Sequence, residues 1–442
     1  MKLASSLVRF ADPLVLRMSP VLAATAVVLW ILVSFGIFNA NGRTIASGDT
    51  VPASLMPVVV LLDGTVMLDR FAEEEHRRFP RPYWLQQTRF GTASRYPLAT
   101  GVLAIPIYAV PVLYQAWRQP LSTDEWRDFA VGPLQKLAAS IFAALSVGVF
   151  WSICVSLGFR SWLPFVLTAL YAFGSETYTI ASQGLWQHGP GSLALLAAIR
   201  AMLWADKRPR AAALAVGLSL GLAVAIRDNN VFLVGPIGLA ALWRQPRQWL
   251  WLMAPAVAIA VPVGIYNYVV LGSILGVGQD QIGDLALRNM REGLPGVFFS
   301  PARGIFLYFP AAVLALVLVF RQASTLSREP LFLALGACVI LATGLNASYK
   351  VWYGGDCFGP RYFTEVQGPI LILLGAAVEA GGRRLVASLC LMLILPYSIF
   401  IQAMGSWSIA TFDWDAKPPP GEVARYWDWN DNPIFRGIRA NL

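Results

Sequence analysis

Charge is what this sequence lacks most: only 13% of its 442 residues are Asp, Glu, Lys or Arg, where ordinary soluble domains carry about 25%. That shortage excludes a soluble globular enzyme and a disordered chain, both of which need polar surface to remain in water. Histidine is nearly missing, with two in the chain. The four cysteines show neither paired spacing nor a CxxC element, so neither a disulfide framework nor a thiolate metal site is expected. Cys154, Cys338 and Cys390 lie inside apolar runs and Cys357 in a loop, and they read as small buried side chains. No glycine-rich loop leads into Lys-Ser or Lys-Thr, which leaves no nucleotide-phosphate cradle. No internal repeat stands out, and the one low-complexity element, Pro418 to Pro420, reads as a stiffener of the tail.

Apolar residues are what the chain has instead: 57% of it is hydrophobic and the mean hydropathy is +0.57. At roughly 20 residues per spanning helix, that is enough for about ten passes through a bilayer. The 16 Trp and 14 Tyr suit aromatic belts at the membrane surfaces. The net charge of +9 is expected to mark basic loops on one side of a membrane, and it carries no nucleic-acid signal.

Continuous apolar stretches run Ser19 to Phe38, Leu98 to Trp117, Leu134 to Leu157, Trp162 to Ala181, Gly189 to Trp204 and Ala211 to Ile226. The others are Val231 to Trp243, Trp249 to Leu271, Ala302 to Phe320, Leu331 to Asn346, Gln367 to Ala380 and Leu385 to Gln402. Ser19 to Phe38 is too long for the apolar region of a signal peptide and is expected to stay as the first span. Lys2, Arg9 and Arg17, Arg160, Lys207 to Arg210, Arg244 with Arg247, Arg321 with Arg328, and Arg383 with Arg384 are the basic connections. All fall on the cytoplasmic side if one stretch, Leu98 to Trp117, does not cross. It holds Pro106 and Pro111, each of which removes a backbone hydrogen bond that lipid cannot replace, so an interfacial helix is expected there. The expected architecture is an all-α polytopic membrane protein of about eleven spans. A transmembrane domain covers residues 1–402, with an external loop over 39–133, and a short external tail covers 403–442.

The acids and most of the loop mass then lie outside, and chemistry is expected there. Asp49, shortly after the first span, is placed to act as a general base at the membrane surface. From spacing alone, the favoured alternative is a helix cap ahead of Val51-Pro52. Arg95 and Tyr96 fit a lipid-phosphate contact or an interfacial anchor equally. Glu73, Glu74, Glu75 and His76 beside Arg77 and Arg78 read as a solvated helix face. Glu176 is an acid inside an apolar stretch, a functional candidate by default, and His188 is either a substrate contact or a cap beside Trp186. Arg227-Asp228 reads as a turn with its own ion pair. Arg303, Lys350 and Arg361 are cations in two external loops, against the charge bias, and call for an anionic partner such as lipid headgroups or one phosphate. Asp280 and Asp284, four apart, are weak grounds for a metal, and Asn346-Ala347-Ser348 reads as an accidental glycosylation sequon.

Arg95-Tyr96-Pro97-Leu98 is similar to the Tyr/Lys-Pro-Pro-Leu element of the GT-C superfamily of integral-membrane glycosyltransferases, with one proline missing. Ser300-Pro301-Ala302-Arg303-Gly304 and Phe358-Gly359-Pro360-Arg361-Tyr362 resemble elements of bacterial members, a class that includes protein O-mannosyltransferases and lipid A aminoarabinose transferases. The resemblance implies an inverting transfer from a polyprenyl-phosphate-linked sugar to a hydroxyl on a glycan, lipid or protein acceptor, at the external face of a bacterial inner membrane. In it Asp49 is the catalytic base, and Arg303, Arg361, Lys350 and Arg95 hold the donor phosphate. Tyr96, Glu176, His188 and Tyr362 contact substrate. The paired Asp-Glu of the O-mannosyltransferases is absent, since Thr50 follows Asp49, so no cofactor is expected with certainty and a divalent metal has no support in the sequence. The alternatives are a lipid-linked saccharide flippase or transporter and an O-antigen ligase or polymerase. The former wants charges deep in several spans, and the latter place their main external loop late in the chain.

Overall fold

A computed structural model describes residues 20–160, 162–276, 282–381, 384–416 and 422–441. Lys2, Arg9, Arg17, Asp280, Arg383 and Pro418 to Pro420 lie outside the described residues. The chain is almost wholly helical. In order come α1 (Pro20–Asn39), α2 (Val51–Asp63), α3 (Asp69–Arg78), the antiparallel hairpin β1 (Leu85–Thr88) and β2 (Gly91–Ser94), α4 (Ala99–Arg118) and α5 (Thr123–Phe129). There follow α6 (Gln135–Ser156), α7 (Leu163–Phe173), α8 (His188–Met202), α9 (Pro209–Ile226), α10 (Val231–Arg244), α11 (Trp249–Tyr266) and α12 (Met290–Phe299). The remainder are α13 (Ile305–Tyr308), α14 (Ala311–Arg321), α15 (Ala323–Leu326), α16 (Pro330–Ser348), α17 (Thr364–Ala380), α18 (Arg384–Trp407), α19 (Ile409–Ala416), α20 (Glu422–Arg425) and α21 (Pro433–Asn441).

Among the described residues eight helices are long and apolar enough to cross a membrane. Their outer faces carry side chains that water would not tolerate in such numbers: Leu29, Leu250, Ile340 and Leu393 are each more than half exposed. Every side chain of α17 from Thr364 to Glu379 is buried, which makes it the central post of the bundle. Around it α8, α14 and α16 pack directly, α9 lies between α8 and α11, and α1 lies on α6.

Three expectations change. The stretch Trp162 to Ala181 is not one helix. It stops at Phe173, and Ser175 turns the chain by donating to the carbonyl of Tyr171 and accepting from the amide of Thr177. Ala302 to Phe320 likewise breaks between Tyr308 and Ala311, where Pro310 has no N–H to continue the ladder. Conversely, α4 runs unbroken through Pro106 and Pro111 and is itself of spanning length. The hydrogen bonds lost at the prolines are offset by packing: Gly101, Ala104, Tyr108 and Val112 form one buried stripe, and α4 lies along α2.

The first long connection folds on its own core, with Leu55, Met56, Phe71, Trp84, Tyr108 and Trp126 buried together. Its supposed solvated face is buried in part. Glu75 is fully buried and pairs with Arg127 of α5 at 2.5 Å, while Glu74 pairs with Arg77 and Arg78. A carboxylate withdrawn from water needs such partners, and here they clamp α3 to α5. At the other end of the chain α18 continues to Trp407, so the tail begins five residues beyond the expected boundary at 402.

Helices α9 and α11 approach closely at Gly217, where a Cβ would stand 1.9 Å from the carbonyl oxygen of Leu252. Gly217→Ala is therefore expected to lower the detergent-solution Tm by several degrees. Gly235→Ala in α10, where a Cβ meets nothing within 4 Å, is expected to leave Tm unchanged or slightly raised.

Candidate functional site

The ends of α8, α9, α10, α16 and α17 nearest His188, Arg227, Val231, Ser348 and Thr364 gather at one end of the bundle. The basic connections Lys207 to Arg210, Arg244 to Arg247 and Arg328 sit at the opposite ends of these same helices. A polar cavity of about 440 Å³ opens at the first end, lined among others by Asp49, Tyr83, Tyr96, His188, Arg227 and Arg361. Its size is that of a small-ligand site.

Asp49 enters from a single turn of 3-10 helix, Gly48–Thr50, where its amide donates to the Ser47 hydroxyl. Gly48 is required for space, since a Cβ there would lie 2.5 Å from the Trp84 ring. The cap expected from spacing is not formed: Thr50 precedes α2 without a side-chain cap, and the Asp49 carboxylate points elsewhere. Its Oδ1 accepts from the phenols of Tyr96 at 2.6 Å and Tyr83 at 2.8 Å, and its Oδ2 from Nη1 of Arg361 at 2.7 Å. Burial alone would raise its pKa, but the charge of Arg361 and the two phenol hydrogen bonds outweigh it and hold Asp49 below the ordinary carboxylate value. The two phenols stay protonated, kept so by burial and by the adjacent carboxylate.

Arg361 follows the turn Gly354 to Gly359, in which Gly354, Gly355 and Gly359 all have positive φ, a conformation that disfavours any other residue. Its guanidinium lies 4.5 Å from the Trp186 ring centroid and 5.5 Å from that of Tyr362, and its buried Nε has no hydrogen-bond partner. A second polar cluster lines the same cavity. Nδ1 of His188 is 3.0 Å from both oxygens of Glu365, and Nη1 of Arg227 donates to Glu365 Oε1 at 3.1 Å.

Thus Asp49, Tyr96, His188, Arg361 and Tyr362 do come together. The remaining residues do not. Arg303 is buried and does not line the cavity. It donates to the carbonyls of Ala302, Tyr353 and Gly355 and is sandwiched by Trp414 and Tyr426, at 5.5 and 5.2 Å. Arg303 and Arg361 therefore do not line the cavity together: the first donates to backbone carbonyls and the second to Asp49. Arg95 stands behind Tyr83 and donates to its carbonyl at 3.4 Å, while the Lys350 side chain is exposed and its backbone binds Asp284. Glu176 is wholly buried behind the Phe358-Gly359 turn, accepting from Gln402 at 3.3 Å, and does not line this cavity.

Two functional candidates escaped the sequence. Arg227 is not satisfied by Asp228 next to it but by Glu365, 138 residues away. The signal was available, since Arg227 is another cation at the non-basic end of a span and Glu365 an acid at the start of a buried helix. Asn346 is buried and donates to the carbonyl of Tyr362, which closes off its sequon. Among the described residues, no three His, Cys, Asp or Glu side chains gather in a metal-ligand group.

Beside the polar cavity runs an apolar groove of about 450 Å³ between α12, α14 and α16, lined by residues such as Leu294, Phe298, Leu316 and Ile340. The two adjoin along the chain: Gly344 and Phe363 line the groove, and their neighbours Leu345 and Tyr362 line the cavity. No known protein family, no characterised protein and no solved structure matches this chain.

Because Arg303 ties the tail to the turn that carries Arg361, Arg303→Gln is expected to loosen residues 408–441 before the bundle melts. Limited proteolysis should cut the tail of this variant faster than that of the wild type, with the α1–α18 fragment left intact.

Proposed function

We propose that this chain is a membrane glycosyltransferase of the GT-C type, moving a sugar from a polyprenyl-phosphate donor to an acceptor hydroxyl at the external face. The observation that carries the reading is the pairing of sites: a polar cavity that holds the Asp49 carboxylate, and an apolar groove of similar volume whose lining adjoins that of the cavity along the chain. A water-soluble substrate would have no use for the groove. A lipid alone would have none for the cavity.

In this reading the acceptor hydroxyl enters beside Asp49. Its oxygen attacks the anomeric carbon, its proton passes to the Asp49 carboxylate, and the bond from that carbon to the phosphate oxygen breaks with its electron pair leaving on the lipid phosphate. Attack from the face opposite the phosphate inverts the anomeric centre. Asp49 meets the first requirement of a base by being unprotonated at neutral pH. Tyr83 and Tyr96 fix its orientation, and aromatic rings such as Tyr349, Tyr362 and Trp186 suit the faces of a sugar. The motifs around Arg95, Arg303 and Arg361 support the same family. Arg303 acts in it as a strut for the glycine turn, and Lys350 and Glu176 have no part in the transfer.

This reading keeps α4, although it is unbroken and of spanning length, at the interface along α2; about eleven spans then put the basic ends of the helices in the cytoplasm and the cavity outside. In a bacterium the membrane would be the inner one. A cysteine placed at the exposed Arg89 should then react with a membrane-impermeant maleimide in intact cells. Labelling only after the cytoplasmic side is opened would reverse the orientation.

A lipid-linked saccharide flippase is the second reading, favoured by Glu176, a carboxyl buried with one oxygen unpartnered. The two readings separate on Asp49→Asn. For the transferase, purified Asp49→Asn is expected to lose about a hundredfold or more of its turnover with a polyprenyl-phosphate sugar, while a flippase would keep its transport. Near-normal turnover would pass the role of base to His188 or Asp284. Since the native pKa of Asp49 is depressed, the stabilising pair with Arg361 is intact above the ordinary carboxylate value of about 4 and is lost as pH falls through the native value. Wild-type turnover should accordingly show no acid limb attributable to Asp49 until below about pH 4.

A further inference from the structure

Arg303 does not line the cavity, which leaves open where a lipid phosphate would sit, and other groups in the cavity wall can hold one. Glu365, 3% exposed at the start of α17, bridges His188 at the start of α8 and Arg227 at the end of α9. It thereby fixes two side chains that line the cavity from two different helices. Arg227 spends one nitrogen, Nη1, on Glu365, and no other hydrogen bond from its guanidinium to a described residue is formed. His188 spends Nδ1, so its Nε2 is the ring nitrogen left for a ligand. The guanidinium of Arg227 also lies 5.6 Å from the ring centroid of Tyr362. Tyr362 is the cavity residue adjoining Phe363 of the groove.

The geometry points to a phosphate-monoester site formed by Arg227 and His188 and held in place by Glu365, on the side of the cavity where its lining adjoins that of the apolar groove along the chain. The inference rests on the proposed transferase reading and names the group that its lipid substrate and product share. A tail lying along Leu294, Phe298 and Ile340 would leave the groove past Phe363 and present its phosphate beside Tyr362. The free edge of Arg227 offers a donor fork that matches two phosphate oxygens. Arg361, on the same tyrosine ring but bonded to Asp49, is thereby spared to hold the carboxylate. Glu365 is a positioning residue: it touches neither lipid nor sugar, and it answers the charge of Arg227 and orients the His188 ring when the site is empty.

The test is binding by the purified full chain in detergent of three probes: a long-chain polyprenyl monophosphate, the matching polyprenol, and inorganic phosphate. Wild type is expected to prefer the monophosphate to the polyprenol by about tenfold or more, and Arg227→Gln to lose most of that preference while polyprenol affinity stays unchanged. Asp49→Asn should keep the preference and lose turnover. If Arg227→Gln does not fold, Arg227→Lys is read in its place: it keeps the charge but not the fork, and its preference should fall severalfold. An unchanged preference in the folded Arg227 variant overturns the inference and leaves the transferase reading standing. No preference in wild type overturns both. Inorganic phosphate that competes at concentrations comparable to the lipid would show a site for free phosphate and overturn the assignment to a lipid.

Discussion

An ion pair between Asp49 and Arg361, 2.7 Å long and spanning 312 residues of chain, joins the first folded connection of this protein to its last glycine-rich turn. Most of what surrounds the cavity can be read as support for that contact. The α2–α5 unit, with its buried Glu75–Arg127 bridge, presents Asp49 and the two tyrosines from one side. Helix α17, buried along its length, presents Arg361 and Glu365 from the other. Arg361 is buried and Asp49 half-buried, so each charge relies on the other, and removing either leaves its partner poorly answered.

The same economy of charge explains why so few polar residues carry so much. In a chain surrounded by hydrocarbon each buried cation or anion has to be answered within the protein. Asp49 answers Arg361, Glu365 answers both His188 and Arg227, and Glu379 answers Arg160. Among the described residues Arg303 donates to carbonyl oxygens and lies against aromatic rings, and the carbonyls of Tyr353 and Gly355 belong to the loop that leads to Arg361. The result is two short polar clusters lining one cavity, with an apolar groove whose lining adjoins theirs along the chain.

The sequence by itself determined the solvent of the fold and the nature of its elements, because mean hydropathy and the length of apolar runs act locally and need no partner. It also marked Asp49, Arg361, Tyr96 and His188, since a polar group next to a long apolar run is conspicuous wherever the chain later goes. Only the tertiary structure decided which of these marked residues meet. Arg227 looked self-sufficient beside Asp228, yet its partner is Glu365 on a different helix. Asp49 looked like a cap, yet its oxygens face two phenols and a guanidinium. Glu176, Lys350 and Arg303 looked equally placed for substrate, yet none of them lines the cavity. Such outcomes depend on contacts between residues far apart in sequence, and on whether a proline such as Pro106 is compensated by a neighbouring helix. Neither is encoded in any window of a few residues, because the energy of a buried charge is set by what stands across from it in space.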